Sequence, residues 1–266
     1  MGDPELPRPV LTPAAFLLDL DGTLYTDRGA IPGGPATIAA LRAHGIPFRC
    51  VTNTTSRSRA GLAARLTSLG YDIGAEEILT PVVAASAYCR SRGLRRIAAY
   101  TPAVSLEDLE GVDVVAGGER AEAVIVGDLG EAWDFGRMQS AFARIRGGAA
   151  LVALSRDRYF LKGGELTLDA GAFVAGLEYA AGVAATVVGK PSAAFYSAAL
   201  QALGVEPGNV AMVGDDLWSD VEGAQRAGAQ GWLVRTGKFP ERALREDGVR
   251  PDRVLTSIAE LMAPDG

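Results

Sequence analysis

Short apolar segments alternate with alanine- and leucine-rich helical segments along most of this 266-residue chain. Ala15 to Leu18 and Phe48 to Val51 have the composition of strands. Gly34 to Ala43 and Ser56 to Leu69 have the composition of helices. Two parallel neighbouring strands need a long crossover connection, usually a helix, whereas antiparallel neighbours can be joined by a short hairpin turn. Strands that alternate with helices are therefore expected to run parallel. The alternation therefore predicts an α/β protein built on a parallel sheet.

The alternation continues through the rest of the chain, and no fixed-period repeat interrupts it. Further strands are predicted at Ile97 to Tyr100, Ala123 to Val126, Ala150 to Leu154, Val210 to Val213 and Gly231 to Val234. Further helices are predicted at Trp133 to Arg146, Ala172 to Ala181, Ala193 to Leu203 and Leu217 to Ala227. A chain of this length suits one large domain that carries a second, smaller one.

Composition excludes several functional classes. Apolar residues make up 48% of the chain, which favours a folded core, and the net charge of -6 argues against nucleic acid as a partner. Cys50 and Cys89 are too few for a disulfide framework and are predicted to be buried thiols in a reducing compartment. There is no apolar segment of about 20 residues, so no membrane association is expected. Met1 to Thr12 lacks a signal peptide, which predicts a cytoplasmic location.

A motif with two aspartates, Asp19-Leu20-Asp21-Gly22-Thr23, follows the first predicted strand. Ligands of parallel sheets bind at the carboxyl ends of the strands. Gly22 permits a tight turn that brings the two carboxylates toward one point. A hairpin turn at Asp21-Gly22 is the alternative. Residues 25–34 have the composition of a loop, however, and no second strand is predicted after the turn.

A second acidic group, Gly214-Asp215-Asp216 with Asp220, follows the strand predicted at Val210 to Val213. Asp220 lies about one helical turn into the next helix and can face back toward the strand end. Like charges in one site repel each other unless a cation joins them. Oxygen ligands suit Mg²⁺, which is therefore the predicted cofactor. A solvated helix start is the alternative interpretation.

Two further strand ends carry groups that suit an anion. Thr52 and Asn53 offer a hydroxyl, an amide and backbone N–H groups at a helix start, although helix capping explains them as well. Lys190 follows Val187 and Val188 and can bring an ammonium group to the same edge. This lysine is not part of a nucleotide-binding P-loop, because a proline follows it where Ser or Thr is required.

Together the four clusters supply what phosphoryl transfer requires. Asp19 is ionised at neutral pH and can attack phosphorus directly. Asp21 can protonate the leaving alcohol and later activate water. Lys190, Thr52, Asn53 and Mg²⁺ would offset the charge on the phosphoryl oxygens in the transition state.

In this order the clusters resemble the four motifs of the haloacid dehalogenase-like (HAD) superfamily: DxDx(T/V), a Ser/Thr, a Lys and an acidic GDD or GDxxxxD. The resemblance implies a Rossmann-like core and makes Asp19 the nucleophile and a Mg²⁺ ligand. It makes Asp21 the acid/base, with its backbone carbonyl on the metal, and Asp215 a direct ligand. Asp216 and Asp220 would hold metal-bound waters or position the lysine.

The resemblance also implies a phosphate site made of Asp21, Gly22, Thr52, Asn53 and Lys190, with Lys190 among the catalytic residues. An acid at Asp21 favours a phosphatase, because members of the superfamily that break carbon–halogen bonds lack one there.

Motif spacing resembles one branch of the superfamily. The stretch between Asp21 and Thr52 is short, whereas well over a hundred residues separate Thr52 from Lys190. This resembles subfamily IIA, which has a large α/β cap and contains NagD-like, 4-nitrophenylphosphatase-like and pyridoxal phosphate phosphatases. Residues 51–55 and 214–238 are similar to phospholysine phosphohistidine inorganic pyrophosphate phosphatases. The implied domains are a core formed by residues 1–81 and 186–266 and an inserted cap formed by residues 82–185.

The cap is expected to select the substrate. The residues predicted to do so follow a cap strand, with a glycine-bearing turn at 169–171 nearby; they are Arg156, Asp157, Arg158 and Tyr159. A solvated loop is the alternative. A closed cap favours a small phosphorylated metabolite as substrate. A homodimer through the cap is expected by analogy.

Other functions stay open. A non-catalytic phospho-acceptor or metal-binding regulator would use Asp19 without turnover, but it would not need an acid at Asp21. A phosphomutase usually carries its cap at a different position. A nucleotide-dependent oxidoreductase would need a G-x-G-x-x-G motif after the first strand, and none is present.

Overall fold

The computed structural model describes residues 12–162, 165–239 and 248–262. The chain forms two compact units, Met1–Arg49 with Leu200–Gly266 and Cys50–Ala199. The predicted domain boundaries after residues 81 and 185 separate a core from a cap and stay a prediction. None of the helices within these described ranges is long and apolar enough to cross a membrane.

The strands of the described residues, in chain order, are β1 (Ala15–Asp19), β2 (Tyr25–Thr26), β3 (Gly29–Ala30), β4 (Phe48–Val51), β5 (Ile78–Leu79), β6 (Arg96–Tyr100), β7 (Asp113–Val114), β8 (Ala123–Val126), β9 (Ala150–Ala153), β10 (Tyr159–Lys162), β11 (Glu165–Leu168), β12 (Thr186–Val187), β13 (Val210–Gly214), β14 (Gln230–Val234) and β15 (Arg253–Leu255). The helices are α1 (Gly34–Ala43), α2 (Arg59–Ser68), α3 (Pro81–Ser91), α4 (Phe135–Arg146), α5 (Ala170–Ala181), α6 (Ala193–Leu203) and α7 (Gly223–Arg226). A π-helical turn spans Leu217–Glu222, and 3-10 turns lie at Ala75–Glu77, Ala103–Asp108, Gly130–Ala132, Pro207–Asn209 and Ile258–Glu260.

The first unit is built on a parallel sheet with the strand order β15-β14-β13-β1. Strand β4 begins beside β1, where the Phe16 N–H donates to the Pro47 carbonyl over 3.0 Å. Every residue of β1, β13 and β14 is buried, as expected for parallel strands that are covered on both faces. Because β1 and β13 are parallel neighbours, the residues that follow them leave the sheet at the same edge.

The second unit contains a five-stranded parallel sheet with the order β12-β9-β8-β6-β7. Helices α4 and α5 contribute to its apolar core, where Ile145 and Val174 belong to the same buried cluster as Val124 of β8. The Trp133 ring stacks at 4.8 Å from the Phe173 ring within this core. The last residues of β4 pair with β5, and β10 pairs with β11 as an antiparallel ribbon. The predicted α/β architecture with parallel sheets is confirmed.

Three local predictions are wrong. Residues 25–34 contain the antiparallel pair β2–β3, which escaped prediction because strands of two residues show no periodicity. The helix predicted from Leu217 opens as a π turn, since the Val221 N–H donates to the Asp216 carbonyl five residues back, over 3.2 Å. The turn predicted at 169–171 is the start of α5, because the Asp169 side chain caps it by accepting from the Ala170 N–H at 2.5 Å.

The two cysteines are buried, as the sequence analysis predicts. Cys50 and Cys89 are both buried and form no disulfide with each other. Burial raises the pKa of the Cys89 thiol to about 11, because the thiolate would lose its hydration. The predicted burial of both thiols is confirmed, and the raised pKa makes the Cys89 thiol a poor nucleophile; the reducing compartment stays a prediction.

Candidate active site

Asp19 ends β1 and begins a tight turn. The turn closes because the Leu20 carbonyl accepts N–H groups from Leu24 at 2.8 Å and from Tyr25 at 3.2 Å. Gly22 has a φ of 85°, as the predicted turn requires. A Cβ atom at Gly22 would overlap the Asp215 carboxylate, so the backbone approaches this carboxylate as only glycine allows.

The two carboxylates of this turn have different surroundings. Asp19 is 6% exposed, and the Thr23 hydroxyl lies 3.5 Å from its Oδ2 atom. Asp21 is exposed, and the Tyr25 hydroxyl donates to its Oδ2 atom over 3.1 Å. The Gly22 N–H donates to the Tyr25 carbonyl over 2.7 Å, and the predicted role of Gly22 toward phosphate stays a prediction. The structure thus pairs a buried carboxylate with a solvent-accessible one and uses the Gly22 N–H within the turn.

The end of β13 places two more buried acids. Asp215 and Asp220 are 3% and 1% exposed. The Asp220 Oδ2 atom accepts the Asp216 N–H over 3.1 Å, and a Cβ atom at Gly214 would overlap the Asp220 carboxylate. Asp216 caps the π turn, since its Oδ1 atom accepts the N–H groups of Trp218 and Ser219.

Asp19, Asp215 and Asp220 form an acidic cluster. Each offers a carboxylate oxygen, and these oxygens lie within 4.8 Å of one another in a buried setting. Buried like charges repel strongly, and a cation with several oxygen ligands removes the repulsion. The donor set therefore fits a divalent metal. The predicted ligands are the carboxylates of Asp19 and Asp215 and the backbone carbonyl of Asp21, and these roles stay predictions. Asp220, predicted to hold metal-bound waters or to position the lysine, has its carboxylate within the cluster.

A loop after β14, which was not among the predicted site residues, also contacts this region. The Thr236 hydroxyl donates to the Gly22 carbonyl over 2.5 Å, and the Lys238 N–H donates to the Asp215 Oδ2 atom over 2.7 Å. The Lys238 ammonium lies 3.6 Å from the Asp216 Oδ2 atom. The strand-end rule that selected the other clusters would have found this loop, because it follows the strand predicted at Gly231 to Val234.

The charges of Asp216 and Lys238 stabilise each other. Desolvation raises the pKa of the Asp216 carboxyl, but the Ser219 N–H, the Lys238 ammonium and the Trp218 N–H together bring it below its usual range. Desolvation lowers the pKa of the Lys238 ammonium, but the nearby carboxylates, Asp216 foremost, raise it above its usual range. Both groups are therefore charged at neutral pH.

In the second unit, Asn53 and Lys190 form a pair that we call the lysine brace. The Asn53 Oδ1 atom accepts the Lys190 N–H over 2.8 Å, and the Asn53 Nδ2 atom donates to the Lys190 carbonyl over 2.9 Å. A Cβ atom at Gly189 would overlap the Leu154 carbonyl, so the backbone before Lys190 is closely packed. Lys190 is 4% exposed. The Asn53 amide holds the backbone of the lysine, and its direct contact with phosphate stays a prediction.

Thr52, the other predicted phosphate ligand, is buried at the end of β4. Its hydroxyl accepts the Thr54 N–H over 3.1 Å, a local turn contact of the kind that threonine commonly makes. The structure therefore shows Thr52 ordering the residues after β4, and its role toward phosphate stays a prediction.

The predicted substrate-selecting residues follow β9, as expected, and all four are exposed; they are Arg156, Asp157, Arg158 and Tyr159. Arg156 pairs with Glu178 over 2.6 Å, and the Ser155 hydroxyl donates to Asp157 over 3.0 Å. Tyr159 is the first residue of β10, so it lies at the end of the loop between β9 and β10. Their role in substrate selection stays a prediction.

Comparison with known proteins decides the family. A family model described as haloacid dehalogenase-like hydrolase matches residues 16–115, and one described as HAD-hydrolase-like matches residues 187–261. The haloacid dehalogenase-like hydrolase domain-containing protein 2 of Bos taurus is 38% identical over 242 residues, which are 91% of each chain. The chain belongs to the haloacid dehalogenase-like hydrolase family.

Further relatives of this HAD hydrolase define its branch. The human phospholysine phosphohistidine inorganic pyrophosphate phosphatase is 36% identical over 251 residues, covering 92% of this chain and 91% of its own. The p-nitrophenyl phosphatase from Archaeoglobus fulgidus has a TM-score of 0.87 at 27% identity, covering 94% of this chain and 98% of its own.

NagD from E. coli K-12 has a TM-score of 0.85 at 25% identity, with the same coverage of 94% and 98%. The predicted membership of subfamily IIA is confirmed, as is the Rossmann-like HAD core with a smaller α/β cap. The predicted class of HAD-family phosphatase agrees with these relatives.

Proposed function

We propose that this HAD hydrolase is a Mg²⁺-dependent phosphatase that hydrolyses small phosphorylated metabolites through an aspartyl-phosphate on Asp19. The supporting observation is the acidic cluster, whose carboxylate oxygens lie within 4.8 Å of one another. Three buried carboxylates this close are costly unless a cation binds them. A cation beside a strand-end aspartate is the arrangement that phosphoryl transfer to a carboxylate requires.

Asp19, Asp215 and Asp220 would hold the metal through their carboxylates, and the backbone carbonyl of Asp21 is a further proposed ligand. Oxygen-only donors match the preference of Mg²⁺. When bound, the metal would offset the negative charge of the phosphoryl group. Asp216 is proposed to support the site from outside the ligand set, because its carboxylate already caps the π turn.

In the proposed first step, an Asp19 carboxylate oxygen attacks phosphorus while the bond between phosphorus and the leaving oxygen breaks. Asp21 donates its proton to that leaving oxygen, which departs as an alcohol. In the second step, Asp21 takes a proton from water, the water oxygen attacks phosphorus, and the bond to Asp19 breaks. The exposure of Asp21 suits this exchange, and the Tyr25 hydroxyl holds its carboxyl group in place.

Lys190 and Thr52 are proposed to bind the phosphoryl oxygens, with Asn53 acting mainly through the lysine brace. An ammonium that is already fixed in position stabilises the transition state more than a mobile one, because less conformational entropy is lost when the substrate binds. The two hydrogen bonds from Asn53 supply that order for the Lys190 backbone.

The substrate class is proposed from the expected cap and from relatives. The human relative is named for phospholysine, phosphohistidine and inorganic pyrophosphate, and the archaeal one for p-nitrophenyl phosphate. A panel of phosphorylated amino acids, sugar phosphates and pyrophosphate would identify the preferred group. The cytoplasmic location and a homodimer through the cap are proposed as well, and light scattering of the purified protein tests the second.

The deciding experiment measures phosphate release from 4-nitrophenyl phosphate with Mg²⁺ or with EDTA. We expect turnover with Mg²⁺ only, and a loss of at least about four orders of magnitude in kcat for Asp19→Asn, the scale of losing a nucleophile. Wild-type protein that binds Mg²⁺ but turns over neither this substrate nor the panel would contradict the proposal. A phospho-enzyme that forms once and persists would indicate a phospho-acceptor regulator instead.

A further inference from the structure

We propose that Thr236, Gly237 and Lys238, the loop after β14, form a positioning clamp for the acidic cluster. The clamp joins the turn after Asp19 to the carboxylate of Asp215. Its residues act through those groups and do not touch the reacting atoms. The inference rests on the proposed Mg²⁺-dependent function, since it concerns the geometry in which the cluster binds the cation.

The first contact of the clamp is made by the Thr236 hydroxyl. It donates to the Gly22 carbonyl over 2.5 Å, although the two residues are 214 positions apart in the chain. Gly22 directly follows Asp21, the proposed acid/base and carbonyl ligand. The Gly22 carbonyl belongs to the peptide plane that directly follows the plane of the Asp21 carbonyl, so holding it restrains the turn on which the Asp21 carbonyl lies.

The second contact is made by the backbone of Lys238. Its N–H donates to the Asp215 Oδ2 atom over 2.7 Å, and Asp215 is buried. Hydrogen bonds to a carboxylate are stronger than those between neutral groups. This one sets the rotation of the Asp215 carboxylate, which decides where its oxygens are offered to a cation.

Gly237 lets the clamp approach this closely. Its φ is 68°, and a Cβ atom there would lie 2.6 Å from the Gly22 Cα atom and overlap the Asp215 carboxylate. A Cβ atom at Gly22 would in turn overlap the same carboxylate and lie 3.1 Å from the Gly237 Cα atom. Two glycine backbones therefore enclose the Asp215 carboxylate, and any side chain at either position would displace it.

The side chain of Lys238 adds charge to the clamp. Its ammonium lies 3.6 Å from the Asp216 carboxylate, and the side chain is 75% exposed. The clamp thus directs three groups from two residues at the two acidic turns: the hydroxyl of Thr236, and the amide N–H and ammonium of Lys238. A loop that only stabilised the fold would not need to place all three of these groups there.

Thr236→Val tests the clamp, because it keeps the shape of the side chain and removes the hydroxyl. We expect the Mg²⁺ affinity, measured by calorimetry, to fall about tenfold, the lower end for residues that orient metal ligands. At saturating Mg²⁺, kcat should fall while the KM for 4-nitrophenyl phosphate changes less than twofold. Thr236→Ser retains a donor and should recover most of the Mg²⁺ affinity.

Thr37→Val is the matched control. The Thr37 hydroxyl also lies in the first unit and also donates to backbone carbonyls, those of Gly33 at 3.1 Å and Ile258 at 3.3 Å. It has no part in the acidic cluster, so its loss should lower thermal stability without changing the Mg²⁺ affinity. Should Thr236→Val fail to fold, Gly237→Ala takes its place and should weaken Mg²⁺ binding further.

Three outcomes are distinct. A folded Thr236→Val protein that binds Mg²⁺ as tightly as wild type overturns the clamp and leaves the proposed function intact. A wild-type protein that binds no Mg²⁺ overturns both. Weaker Mg²⁺ binding in Thr236→Val and recovery in Thr236→Ser, with no change in Thr37→Val, supports the clamp.

Discussion

The acidic cluster and the lysine brace hold their charged groups by opposite means. In the acidic cluster, three buried carboxylates lie close together, and glycine backbones pack against them. In the lysine brace, the neutral Asn53 amide forms two hydrogen bonds with the backbone of Lys190, at 2.8 and 2.9 Å. The carboxylates of the first arrangement repel one another and favour a nearby cation, whereas the second arrangement is held by hydrogen bonds between uncharged amide groups.

This difference predicts how each region responds to its surroundings. The proposed divalent cation would reduce the repulsion between the carboxylates of the acidic cluster, so we expect the stability of this region to depend on the metal. The lysine brace consists of amide and carbonyl groups, which carry no charge and do not ionise near neutral pH. Its hydrogen bonds should therefore depend neither on metal concentration nor on pH in that range. We therefore expect the acidic cluster to gain stability from the proposed metal and the lysine brace to be ordered without it.

The largest effect is expected from Asn53→Ala, which removes both hydrogen bonds of the brace. The Lys190 ammonium would then lose its fixed position, and kcat/KM should fall about 10- to 100-fold, the scale of a small misplacement at an active site. The Mg²⁺ affinity should stay within twofold of wild type. Steady-state kinetics and calorimetry on one preparation measure both quantities.

Ser56→Ala is the control for that prediction, because Ser56 is exposed and its hydroxyl contacts only the nearby Thr54 hydroxyl, at 3.0 Å, among the contacts described for it. If Asn53→Ala kept the wild-type kcat/KM, the brace would have no role in activity. If Asn53→Ala lost Mg²⁺ affinity instead, the lysine brace and the acidic cluster would not act independently.

A smaller effect is expected from Asp220→Asn, which removes one charge from the acidic cluster and keeps an oxygen that can accept the Asp216 N–H. The metal-free protein should gain about 1 kcal/mol in its free energy of unfolding, the scale of one pKa unit of like-charge repulsion. The stabilisation that Mg²⁺ adds should decrease, because a ligand is lost.

Urea denaturation in EDTA and in Mg²⁺ measures both parts of the Asp220→Asn prediction. Asp27→Asn, an exposed aspartate between β2 and β3, serves as the control and should change neither value. A metal-free Asp220→Asn protein that is less stable than wild type would show that the cluster is not repulsive.

The smallest effect is expected from Lys238→Met, which removes the ammonium near the acidic cluster and keeps the backbone N–H bonded to Asp215. Mg²⁺ should bind about two- to fivefold more tightly, the range for an exposed charge pair, because a competing cation is lost. Lys238→Arg should stay close to wild type. Weaker binding in Lys238→Met would mean that the lysine supports the cluster instead of competing with the metal.

Much of the site could be predicted because strand ends are visible in the sequence. Asp19 and Asp215 follow strongly apolar segments, and these segments are β1 and β13 of the structure. Parallel strands bring the residues at their carboxyl ends to one edge, so the convergence of the acids followed from the pattern alone.

The contacts of the clamp and the brace could not be predicted in the same way. The strand-end rule brings the loop after β14 to this edge of the sheet, but it does not show that the Thr236 hydroxyl reaches the Gly22 carbonyl. An amide at Asn53 was visible, but its partner, the Lys190 backbone, depends on tertiary packing. The helix Pro81–Ser91 escaped prediction although Thr80 caps it, and this signal was available in the sequence.

The first unit is assembled from two segments of the chain that are made at different times. Asp19 ends β1, and its neighbour β13 begins at Val210, about 190 residues later. At about 5–20 residues per second, a ribosome needs roughly 10–40 s to cross that interval. During synthesis, Asp19 is therefore present long before Asp215 and Asp220, and a nascent chain that stops short of β13 cannot assemble the acidic cluster. Metal-dependent stability would then report only on chains that extend beyond Asp220.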